Sequence, residues 1–114
     1  MDRKSAVVAV LNFERPVGEL REQLSSFPWD CDEPLAKLLP EHLAAVLQRF
    51  LNGDLSAADV GAWASTIECR DDVEYDPKTV VGCCLHELAV PALYGPVSAA
   101  AAASWLSQLS HVAA

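Results

Sequence analysis

With 114 residues the chain has room for one core, and a domain of this length removes roughly two thirds of its unfolded surface from water. Its 52% hydrophobic and 21% charged content excludes a disordered polymer. Sixteen acidic against eight basic residues give a formal net charge of -8, which opposes approach to nucleic-acid phosphates and to anionic lipid while leaving a basic protein as an attractive partner.

Residues 6–11, AVVAVL, fit one face of a helix, yet the β-branched run suits a strand equally well, and both readings stand. The run is short and no small-residue cleavage motif precedes Glu14 and Arg15, so it is not read as a signal peptide. The uncharged stretch from Leu88 to Ala114 is broken by Pro91, Gly95 and Pro96, a poor pattern for a membrane span. A soluble, cytoplasmic protein is expected, with Cys31, Cys69, Cys83 and Cys84 as reduced thiols.

Val17, Leu20, Leu24 and Phe27 recur at helical spacing until Pro28. In WDCDEP, Asp30 or Asp32 is placed to cap a helix with Pro34 in its first turn and Leu35, Leu38 and Leu39 following; Pro40 should kink that helix or start another. Leu43, Val46, Leu47, Phe50 and Leu51 form an apolar stripe that Asn52 and Gly53 end. Ser56 and Asp59 have capping-box spacing ahead of Val60, Trp63, Ala64 and Ile67. Asp76 and Pro77 repeat the start signal before Val80, Val81, Cys84, Leu85 and Leu88, which Pro91 terminates. Ser98 then caps an alanine-rich helix with Trp105, Leu106 and Leu109. The expected fold is an all-α, compact single-domain bundle of five to six short helices spanning residues 1–114.

Chemistry concentrates in the acidic run Glu68, Asp71, Asp72, Glu74 and Asp76, offset only by Arg70. A solvated loop accounts for such charges, with Asp76 as a helix cap. A docking surface for a basic protein also accounts for them, because crowded like charges are relieved by a cationic partner. Asp30, Asp32 and Glu33 would extend the same face if their loop folds beside it. Calcium ligation fits less well: Asp72, Glu74 and Asp76 alternate suitably, but the turn glycine and closing glutamate are missing.

Cys83 and His86 lie three apart on one helical face, with Cys69 a possible third group. They define the alternative of a small metal- or ligand-binding regulatory domain, although only one pair of ligands has the right spacing and no cofactor is implied. His86 and Glu87 lack a second His at position 90, so the metalloprotease pattern fails. His42 and His111 read as surface or half-buried residues. No nucleophile motif surrounds any Ser, Cys or His, and a non-enzymatic role is expected. Trp29, Trp63 and Trp105 read as core anchors, Trp29 with partial exposure. The uncharged tail admits either a homodimer contact or a terminal helix laid across the core.

The segment FLNGDLSAADVGAWASTIECRDDVEYD, with Trp63, Glu68, Arg70, Asp71 and Asp72 as members of the pattern, resembles small bacterial immunity proteins of the colicin type. That resemblance implies a small acidic cytoplasmic helical protein that neutralises a basic nuclease toxin by covering its active site. The chain departs from the pattern in its uncharged, alanine-rich C-terminal third.

Overall fold

The computed structural model describes residues 2–113. Seven helices are found among them: α1 (Arg3–Leu11), α2 (Val17–Leu24), α3 (Pro40–Leu51), α4 (Ala57–Glu68), α5 (Val80–Ala89), the single-turn α6 (Pro91–Tyr94) and α7 (Ala99–Ala113). Two short strands, β1 (Ala36–Lys37) and β2 (Val73–Glu74), pair in parallel with Ala36 opposite Val73 and Lys37 opposite Glu74. The protein is all-α apart from this bridge, and one continuous core joins every long helix.

Residues 6–11 are helical. Asp2 caps α1 by accepting from the Ser5 amide at 2.7 Å, and Ala6, Val7, Ala9, Val10 and Leu11 are buried. Phe13, just beyond, takes a positive φ of 49°, an unfavourable conformation for a bulky residue. Burial offsets this cost: its ring stacks on Trp63 at 6.0 Å between centroids, and Arg49 lies 5.0 Å above it while donating to the Phe13 carbonyl at 2.9 Å. Trp63, fully buried on α4, donates from Nε1 to the Val10 carbonyl at 2.6 Å and so ties α4 to α1.

The chain signals at α3 and α4 act as expected. Gly53 turns at φ 86° after α3, and Ser56 and Asp59 exchange reciprocal hydrogen bonds of 3.1 and 3.0 Å at the start of α4. At α3 the N-cap residue is Leu39, which has no polar side chain. His42 makes only the return bond of a capping box, its Nδ1 receiving the Leu39 amide at 2.9 Å, and burial lowers its pKa in keeping with a neutral ring. Helix α7 lies along α3 with Ala102 and Leu109 buried, so the uncharged tail packs across the chain's own core.

Two expected helix starts are corrected. Residues 35–39 form no helix: the Leu35 and Leu38 amides donate to the Asp72 and Glu74 carbonyls at 2.8 and 2.9 Å, drawing this segment into extended pairing with β2, and Pro40 begins α3. Asp76 does not cap α5. It closes a local turn by accepting from the Lys78 amide, while Thr79 accepts from the Gly82 amide and serves as the cap. Gly82 is required by this close turn, since an added Cβ would strike the Asp76 carbonyl and the Pro77 backbone. Gly82→Ala is expected to lose about 2 kcal/mol in urea denaturation, an overpacking cost, and an unchanged midpoint would show that the turn yields freely.

Candidate functional site

The acidic run is divided among several places. Asp72 has no accessible surface, a correction to its place on an exposed face. Arg70 grips its carboxylate through Nε and Nη2 at 3.0 and 2.8 Å, and Arg3 adds a bond at 3.1 Å from the start of α1. Two guanidiniums are needed because a carboxylate removed from water must regain its hydration within the protein. Burial alone would raise the Asp72 pKa, but the hydrogen bonds from Arg70 and Arg3 outweigh it and hold the group below its ordinary value.

The same guanidiniums pin the preceding loop. Arg3 Nη2 donates to the Pro28 and Asp30 carbonyls at 2.7 and 2.8 Å, and Arg70 Nη2 donates to the Pro28 carbonyl at 3.0 Å. The Asp71 amide donates to the Trp29 carbonyl at 3.0 Å. An irregular segment without ladder partners is thereby fixed against the 70–72 turn by charge-assisted bonds.

This clamp brings Asp30, Asp32, Glu33 and Asp71 around one open groove of about 780 Å³, all four exposed. Trp29 stands beside them with 61% of its surface exposed, unlike Trp63 and the half-buried Trp105. The 30–33 loop does fold against the 68–76 run, but only Asp71 of that run shares its groove.

Glu68 belongs elsewhere. It lines a smaller depression with Tyr75, Cys83 and His86, where its Oε2 lies 2.9 Å from His86 Nδ1. Glu74 is exposed on β2 opposite Lys37, and Asp76 is exposed at its turn. Cys83 is exposed and directs its Sγ toward the Pro77 carbonyl at 3.8 Å; Cys84, behind it, is buried and its thiol is pushed up to about 12 by desolvation. Among the described residues no three His, Cys, Asp or Glu side chains gather as metal ligands would. The described residues also hold no helix long and apolar enough to cross a membrane.

Arg3 and the Pro28 carbonyl, the parts that assemble the groove, carry no sequence signal, because Arg3 and Asp72 lie 69 positions apart. Arg70 and Asp72 are close enough in sequence for a pair to have been noticed. No family model, no curated protein and no solved structure matches the chain.

Proposed function

We propose that this chain is a non-enzymatic interaction protein that docks a basic protein partner through Trp29, Asp30, Asp32, Glu33 and Asp71, acting as an immunity-type inhibitor of a cationic toxin such as a nuclease. The observation that carries this reading is an exposed tryptophan beside four exposed carboxylates on one groove, whose loop is fixed from behind by Arg3 and Arg70. An exposed aromatic ring at the edge of a charged groove suits protein recognition: the ring supplies most of the contact energy and the carboxylates steer encounter. Glu68, Glu74 and Asp76 lie outside the groove and add to the long-range negative field.

The product of the neighbouring reading frame is the first partner to test. Asp32→Lys with Asp71→Lys, both at exposed positions, should slow association at low salt by about tenfold or more while changing dissociation little. Trp29→Ala should instead hasten dissociation, weakening the complex by about 2 kcal/mol. Surface plasmon resonance across a salt series reads both effects. A partner that binds the double lysine variant at the native rate would eliminate the acidic groove as its docking surface.

A further inference from the structure

One depression groups reactive side chains that the acidic groove does not use. Cys83 and His86 lie one turn apart on the same face of α5, and both line a depression of about 330 Å³ walled by Tyr75 and Tyr94, with Glu68 reaching in from the end of α4. Helical side chains lean toward the helix N-terminus, so the His86 ring projects back over the turn that carries Cys83. Cys83 is exposed, and its Sγ rests 3.8 Å from the Pro77 carbonyl, a weak contact that leaves the thiol free to rotate. The depression shares no lining residue with the acidic groove.

Glu68 fixes the chemistry of the ring. An ionised carboxylate only accepts, so the 2.9 Å bond between Glu68 Oε2 and His86 Nδ1 places the ring proton on Nδ1 and leaves Nε2 as a free base. Tyr94 packs edge-on against the ring at 5.8 Å between centroids. The His86 side chain is still 49% exposed, and among the described residues its Nε2 makes no hydrogen bond. A thiol, an imidazole and a carboxylate are thus assembled as nucleophile, base and orienting group. The other cysteines lack this setting. Cys84 is buried with its thiol pushed up to about 12, Cys31 donates to the Glu33 carbonyl within the acidic groove, and Cys69 lines a different depression that holds no histidine.

We propose that Cys83 is a thiolation site that exchanges with low-molecular-weight disulfides, with His86 as its base and Glu68 as the positioning residue. The Cys83 proton passes to His86 Nε2, and the Glu68 carboxylate holds the imidazolium so formed. The thiolate then attacks one sulfur of the disulfide. The new S–S bond forms as the old one breaks, and the departing thiolate takes the proton from His86. Cys83 is oxidised to a mixed disulfide while one half of the reagent leaves reduced, so no further oxidant enters. This is a single modification of the chain rather than a turnover, and it is independent of docking to a basic partner.

The test exposes the full chain to bis(2-hydroxyethyl) disulfide, whose lack of charge keeps the chain's net charge of -8 from setting the rates. Acid quenching and peptide fragmentation by mass spectrometry then follow the adduct at each cysteine. Cys83 is expected to react at least about tenfold faster than Cys31 or Cys69, and Cys84 to stay unmodified. His86→Gln should bring Cys83 down to the rate of Cys69. Glu68→Gln keeps an acceptor for Nδ1 but removes the charge, and should slow Cys83 while leaving Cys31 and Cys69 unchanged. Mere loosening of the contact between α4 and α5 would instead speed every thiol, Cys84 included, so each variant reports on its own fold. The Asp32→Lys, Asp71→Lys protein should keep the native Cys83 rate, which separates this site from the acidic groove. Equal rates at Cys83 and Cys69 in the native chain, an undiminished Cys83 rate in both variants, or a slowing shared by Cys31 and Cys69 would each overturn the proposal.

Discussion

Trp63→Ala should remove about 4 kcal/mol of stability, the largest loss expected from any single substitution in this chain. The side chain is fully buried, stacks on Phe13 and donates to the Val10 carbonyl, so its deletion opens a cavity and orphans an acceptor at once. Domains of this size have about 5–15 kcal/mol in total, and the variant would stand near the limit of folding. Trp63→Phe separates the two effects: it keeps a ring in the core but leaves the Val10 carbonyl unpaired, for an expected cost of about 2 kcal/mol. Urea denaturation followed by far-UV circular dichroism measures both without depending on tryptophan emission. A Trp63→Ala loss below about 1 kcal/mol would contradict a role in joining α1 to α4.

Asp72→Ala comes next, at about 3 kcal/mol, because it strands two guanidiniums that are themselves largely shielded. Arg70 and Arg3 side chains are 10% and 22% exposed, so water recovers only part of the lost interaction. For a domain of this length the corresponding fall in melting temperature is about 10 °C. The pH dependence has a definite sign. Held by Arg70 and Arg3, the folded carboxyl titrates below the ordinary aspartate value of 3.8, so the unfolded chain binds its proton first as pH falls. The stabilisation is therefore complete well above 3.8, begins to fail as pH approaches that value, and is lost as pH drops through the lower folded pKa. Wild type and Asp72→Ala should differ most near neutrality and converge in strong acid. Parallel curves down to the acid limit would exclude the ionised carboxylate as the source of the difference.

Local signals explain why the helices were readable and much of the groove was not. Ser56 with Asp59, Gly53, Pro91 and Ser98 all act within a few residues of themselves, and each marks a boundary where the spacing placed it. Residues 35–39 misled because a two-residue parallel bridge has no periodicity, whereas three leucines at positions 35, 38 and 39 imitate a helical stripe. Thr79 displaced Asp76 as the cap of α5 because the DP pair closed a turn of its own first. Asp72 looked like its exposed neighbour Asp71, since composition does not tell which of two adjacent carboxylates in a turn meets Arg3. The grouping of Asp71 with Asp30, Asp32 and Glu33 was legible only as a condition on where the WDCDEP loop folds.

The arginine clamp also sets how the acidic loop moves. Pro28 and Asp30 are tied through Arg3 to the first turn of α1, and Leu35 is bonded to the carbonyl of the same Asp72 that receives both guanidiniums. The loop cannot swing outward without breaking these links, and because Arg3 begins α1 its opening is expected to follow that of α1. In hydrogen exchange the amides of Leu35 and Asp71 should therefore share one slow opening with those of α1, although they sit in a segment almost without regular structure. Under the proposed docking, a protein arriving at Trp29 would meet a surface ordered beforehand, and its association would lose little conformational entropy.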